Sequence, residues 1–187
     1  MKKLAIIIDC LDKVYNKQGD IFGGANKLAR CFIDFLKKKK LAEIHIFCGL
    51  SSISEMEGIA QIHILGFSSF QNHEKFFEIM KEETKNFDYV FTNDLLAPFG
   101  NVMVHSHSII YKNKNCKSFF MALLMSILRF KKIKQFKKYF SKDIKKLITV
   151  SKIVKEDYIK NGKIDREKVF YVYPACEKPN VAYEKKT

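Results

Sequence analysis

At 187 residues, the chain is long enough for one domain with a sizeable core and too short for two Rossmann-like halves of ordinary size. Its 47% apolar content and 3 prolines argue against a disordered chain. The formal charge of +14 lies wholly in the second half: residues 1–100 hold 13 basic and 13 acidic groups, residues 101–187 hold 21 and 7. Five cysteines (Cys10, Cys31, Cys48, Cys116, Cys176) form no CxxC pair and are odd in number, which predicts reduced thiols in a cytoplasmic protein, with neither a disulfide framework nor a zinc site. The opening MKKLAIII is broken by Asp9, well short of a signal-peptide core. The longest apolar run, within residues 119–128, is about ten residues, roughly half of a membrane-spanning helix.

In chain order, residues 4–8 (LAIII) form a β-branched-rich run suited to a strand buried on both faces of a parallel sheet. Polar residues 12–20 lead to Gly23-Gly24 and a helix predicted over 25–39, with Leu28, Ala29, Phe32, Ile33 and Leu36 on one face. A glycine turn into a helix is either purely structural or aims peptide N–H groups at phosphate or sugar oxygens. The full GxGxxG and GxxxxGK[ST] patterns are absent, so neither NAD nor ATP is indicated.

Residues 43–48 (EIHIFC) and 61–65 (QIHIL) read as the second and third strands, and His45 and His63 as satisfied or exposed strand histidines. Residues 72–85 show helical spacing through Phe76, Phe77 and Met80, and 87–92 (FDYVFT) form the fourth strand. Three βα-type units in fewer than 100 residues predict a doubly wound sheet. A fifth strand is predicted over 101–104, running straight into His105-Ser106-His107-Ser108. Polar residues at the carboxyl end of a parallel strand lie where α/β proteins bind ligands, which also draws in Asn93 after the fourth strand. Two histidines at i and i+2 with no recognisable third ligand and no DxD pair do not make a metal site, and no metal or cofactor is expected.

Residues 116–140 form a strongly basic element, with Phe130, Ile133, Phe136 and Phe140 at helical spacing and Lys131, Lys132, Lys134, Lys137 and Lys138 around them. Such a helix either crosses over the sheet with a solvated basic face or docks on an anionic membrane with its lysines reaching phosphates. No recognised motif or stacking module accompanies the charge, so nucleic acid is not an expected partner. Residues 147–176 then hold a complete βαβ unit: an apolar run at 147–150, Ser151 as helix N-cap, a helix over 152–160, Asn161-Gly162 as its stop, and a strand over 169–173 ended by Pro174.

The wording of that unit, a strand ending in V-S, a helix of the form K-x-V-K-E-D, an N-G stop, an E-K-V and a strand closing on Y-P, resembles the end of the N-terminal domain of family 4 glycosyltransferases. These are retaining, nucleotide-sugar-dependent enzymes of GT-B architecture. Gly23, Gly24, Ala25, Leu28 and Ala29 resemble the family's GG-A-x-x-x-L-A element, whose glycines lie in the interdomain cleft. His105 best matches the histidine that follows the fifth strand and contacts the transferred sugar, with His107 as the near alternative. The resemblance implies an α/β, Rossmann-like doubly wound parallel sheet over residues 1–176, the N-terminal half of a GT-B fold, and a linker at 177–187 toward a C-terminal donor-binding domain.

By the same resemblance, His105 or His107 is the expected catalytic residue, and Gly23, Gly24, Asn93, Ser108 and Ser151 line the substrate cleft. The implied partners are a nucleotide-sugar donor and a glycan or lipid-linked acceptor of cell-envelope polysaccharide synthesis, met on the inner face of the cell membrane. The family's donor-domain E-x7-E pair is not recognisable here, so the chain alone is not expected to turn over. The alternative is a non-catalytic or split-enzyme subunit that binds a glycan carrier and recruits a partner chain bearing the donor domain. Membrane docking through the basic element is directly testable: replacing Lys131, Lys132, Lys137 and Lys138 by glutamate should abolish flotation with anionic liposomes, and unchanged flotation would reject it.

Overall fold

The computed structural model describes residues 1–15, 23–69, 71–93, 102–106 and 145–173. Strand β1 (Lys3–Cys10) leads to helix α1 (Gly23–Lys39), then β2 (Glu43–Leu50), β3 (Gln61–Ile64), α2 (His73–Glu83), β4 (Tyr89–Asn93) and β5 (Val102–Ser106). The chain continues with β6 (Lys146–Thr149), α3 (Lys152–Lys160), a single 3-10 turn (Arg166–Lys168) and β7 (Val169–Tyr171). All described strand pairings are parallel, in the order β3-β2-β1-β4-β5-β6-β7. The fold is mixed α/β, and this order is compatible with a Rossmann-like sheet, in which the chain winds outward from β1 in both directions.

Strand β1 explains its own composition. Leu4 to Ile8 are all buried because each alternate residue meets a separate layer. Ala5 and Ile7 pack with Phe47, Val90 and Leu147 beneath Phe76 and Met80 of α2 and Val154 and Tyr158 of α3. Leu4, Ile6 and Ile8 pack with Ile44, Ile46 and Phe91 beneath Ala29, Ile33 and Leu36 of α1. Full burial of each large aliphatic side chain contributes about 1.5–3 kcal/mol.

Helix α3 has its predicted bounds, whereas α1 begins at Gly23 against a predicted 25 and α2 spans His73–Glu83 against a predicted 72–85. Asn72 caps α2 by accepting from the Lys75 N–H, and Ser151 caps α3 by accepting from Val154. At the end of α3 the expected Asn-Gly stop works differently. Asn161 takes the cap position and bonds Asp157 through its side chain, while the left-handed residue is Lys163, at φ 54°. Lys40, at φ 50°, likewise turns the chain out of α1, whose last turn carries Lys37, Lys38 and Lys39 at the negative end of the helix dipole.

Several strand boundaries and connections also differ from expectation. Only α1 and α2 lie among the described residues before β4, so the predicted third βα unit is absent. Residues 51–60 join β2 to β3 without a helix; rich in serine and turned at Gly58 (φ 75°), they cover the α1-side core with Ile53, Met56 and Ile59. Strand β5 continues through His105 and Ser106, because His105 pairs with β4 on one side and β6 on the other and Ser106 pairs with β6. Strand β7 ends at Tyr171, short of the predicted 173. The predicted basic element at 116–140 lies outside the described residues, and no described helix is long and apolar enough to cross a membrane.

Gly49 sits where strands β1 and β2 meet the segment after β3, and a methyl group there would stand 2.6 Å from the Phe67 carbonyl oxygen and 2.8 Å from that of Asp9. Gly66, at φ 83°, has open space around it. Gly49→Ala should therefore cost about 1–3 kcal/mol in urea unfolding through backbone displacement, and Gly66→Ala about 1 kcal/mol through left-handed strain alone.

Candidate functional site

Parallel strands share a direction, so their carboxyl ends form one edge. Helix α1 returns against that direction: it ends at Lys39, close before β2 begins at Glu43, whose N–H bonds the Lys2 carbonyl at the amino end of β1. Its first residues, Gly23 and Gly24, therefore begin at the carboxyl edge, as do the capped starts of α2 and α3. The positive ends of three helix dipoles consequently lie along this one edge. The strand order reverses between β1 and β4, the position at which open α/β sheets bind ligands.

The register assembles part of the predicted site. Asn93, last residue of β4, is the direct partner of His105 in β5, and His105 is the partner of Ile148 in β6. Ser106 pairs with Thr149, two residues before Ser151. Asn93, His105 and Ser151 thus lie on three successive strands or their immediate extension, at one end of the sheet. Gly23 and Gly24 start the helix over the neighbouring β1 and β4, with α1 packing on Phe91 through Phe32. His107, Ser108, Lys131, Lys132, Lys134, Lys137 and Lys138 lie outside the described residues.

Ser151 has a structural duty. Its hydroxyl caps α3, and its carbonyl oxygen lies 3.1 Å from the buried Thr149 hydroxyl, which is also 3.1 Å from the Phe170 carbonyl. Val172 N–H returns a bond to the Thr149 carbonyl. The β6 tip is therefore set by the buried Thr149 hydroxyl facing two backbone carbonyls and by the Ser151 hydroxyl accepting a backbone N–H.

Sequence reasoning passed over the carboxylates that shape the other half of the edge. Asp9 accepts the Ser69 N–H at 2.6 Å, and Asp12 accepts both the Ser52 N–H and the Ser52 hydroxyl. Both acids lie within four residues of the end of the β1 apolar run, which is the only signal that could have pointed to them. Tyr15 donates to Asp34 of α1 at 3.0 Å while the Arg30 guanidinium lies over its ring at 5.4 Å. Burial, then the Asp34 charge, pushes the Tyr15 phenol up, so it stays a neutral donor fastening the loop after β1 to α1. Cys48 is buried in β2 and its thiol donates to the His63 carbonyl; burial, followed by Cys10 and Asp12, pushes it up to about 12. A thiol held protonated in this way is a poor nucleophile.

No cluster of three His, Cys, Asp or Glu side chains suited to a metal ion occurs among the described residues. Comparison with protein-family models and with curated protein sequences finds no match.

The two possible duties of Ser151 can be separated. Ser151→Ala should lower stability by about 1 kcal/mol by removing the cap, whereas Ser151→Asp should retain it, as read by thermal unfolding. Any loss of ligand binding in the stable Ser151→Asp chain would then report contact with ligand.

Proposed function

We propose that the chain is the acceptor-side half of a retaining, nucleotide-sugar-dependent glycosyltransferase, corresponding to the N-terminal half of a GT-B enzyme. Its substrate class would be a glycan or lipid-linked acceptor of cell-envelope polysaccharide synthesis, handled at the cytoplasmic face of the membrane. Two independent lines support this reading. One is the resemblance carried by residues 147–176 and by Gly23, Gly24, Ala25, Leu28 and Ala29. The other, which carries most weight, is the pairing of His105 with Asn93 on the edge where α1 and α3 begin.

In this reading His105 hydrogen-bonds a hydroxyl of the sugar in transit, and Asn93 on the next strand offers both a donor and an acceptor to the same ring. Peptide N–H groups of the Gly23-Gly24 turn approach substrate oxygens closely because no side chain intervenes. The anomeric carbon exchanges its bond to the diphosphate for one to the acceptor oxygen, on the same face, and the acceptor hydroxyl's proton passes to the departing diphosphate oxygen. Charge on the departing diphosphate is balanced by basic groups and a helix N-terminus. No metal is needed in that scheme. Most of the donor-binding apparatus would belong to a second domain or to a partner chain.

Saturation-transfer NMR of the intact chain against oligosaccharides and nucleotide-sugars tests the proposal. Binding of a glycan is expected, with nucleotide-sugars weaker, and Asn93→Ala and His105→Ala should each weaken glycan binding about tenfold, the cost of one lost hydrogen bond to a polar ligand. Tight binding of NAD with no glycan response would instead favour a general nucleotide-binding protein.

A further inference from the structure

On the β2–β3 flank of the sheet, to one side of the proposed cleft, two histidines face each other across β2 and β3. His45 Nε2 lies 2.8 Å from Glu43 Oε1, and His45 Nδ1 lies 3.4 Å from His63 Nε2. The His63 ring stacks on Phe47 at 4.1 Å with 1° between planes, and His45 meets the edge of Phe87 at 4.9 Å. Both imidazoles are therefore clamped by aromatic rings in the positions that bring their nitrogens together.

A nitrogen-to-nitrogen contact of this kind needs one proton between two atoms. With Glu43 accepting from His45 Nε2–H, the facing pair works when both rings are neutral, His63 donating to His45. It works equally when one extra proton is present, His45 then donating to Glu43 and to His63 together. A second extra proton leaves an N–H on each facing atom, and attraction becomes repulsion between two cations. The aromatic clamps deny either ring an easy rotation away.

We propose that His45 and His63 form an acid-operated latch that holds strand β3 on the sheet until both rings are charged. Strand β3 is suited to such release: among the described residues it is an edge strand of four residues, paired with β2 alone. Its release reaches the carboxyl ends of β2 and β1, because the Leu65 and Gly66 N–H groups bond the carbonyls of Cys48 and Gly49 and the Ser69 N–H bonds Asp9.

The charged groups around the pair come from three elements. Glu43 is on β2 and is itself 3.9 Å from Lys3 of β1, and Glu83 of α2 acts on His63. Burial, then the neighbouring His45, lowers the His63 pKa, and Glu83 opposes that only in part. A histidine whose folded pKa is depressed contributes stability that is present above its unfolded value of about 6.5 and is lost as pH falls toward the folded one. The Glu43 pKa is lowered, first by its bond to His45 and then by Lys3, with the chain amino group adding a little. Its contribution is lost only below the ordinary carboxylate range, so it does not mask the histidine window.

Amide hydrogen exchange on the intact chain between about pH 7.5 and about pH 5 reads the latch once intrinsic rates are divided out. Protection at the β3 amides bonded to β2 should fall roughly tenfold more than at Ile6, Ile7 and Ile8 of β1, as local opening of an edge strand requires. His63→Gln keeps a polar partner for His45 but takes no proton, and should make β3 protection flat over this range; His45→Gln serves the same purpose if the first variant does not fold. Parallel loss of protection in β1 and β3, or an undiminished pH dependence in a folded glutamine variant, would overturn the proposal.

Discussion

The structure depends on a single strand being buried from both sides. Strand β1 is hydrogen-bonded to β2 on one flank and β4 on the other, and its alternate residues supply the centre of two separate apolar layers. Because it satisfies its backbone laterally and its side chains vertically, nothing polar is tolerated between Leu4 and Ile8. The first polar side chain after that run, Asp9, falls where the strand emerges from cover. The same geometry that forbids polarity inside the sheet collects it at the carboxyl tips.

Those tips are not used alike. On the β2 and β3 side, Asp9 and Asp12 are engaged with peptide N–H groups of Ser69 and Ser52, binding the connecting segments down. On the β4 to β6 side the register sets Asn93, His105 and the extension to Ser151 in a row, next to the reversal of strand order. The division follows from topology. Beyond β1 toward β3 the connection of residues 51–60 is short and lacks a helix, so its loops must be held by side-chain acceptors. The proposed cleft and the histidine pair consequently sit on different flanks of one sheet, joined through the segment after β3 and the Ser69–Asp9 bond.

Much of this was legible beforehand for a definite reason: burial on one face repeats with the period of the element. The α1 stripe through Ala29, Ile33 and Leu36, the α2 pair Phe76 and Met80, and the Ser151 cap all depend on neighbours within four residues. Less legible were features set by distant partners. Whether β5 stops at Val104 or continues through Ser106 depends on β4 and β6 supplying bonds to it. The left-handed turn after α3 falls at Lys163 and not at Gly162, because Asn161 is drawn back onto Asp157 and Ile164 N–H reaches the Tyr158 carbonyl. His45 and His63 each looked like an isolated strand histidine, since 18 residues separate them.

Local chemistry written along the chain was enough to determine the class of fold: a continuous apolar strand, amphipathic helices with their caps, and polar residues waiting at strand ends. Tertiary structure alone decided which of those polar residues meet. Sheet register is a property of two strands at once, and it paired Asn93 with His105, set His45 against His63, and assigned Asp9 and Asp12 to holding loops. A residue's neighbours along the chain limit its conformation, but its hydrogen-bond partner across the sheet is chosen by how the whole set of strands packs.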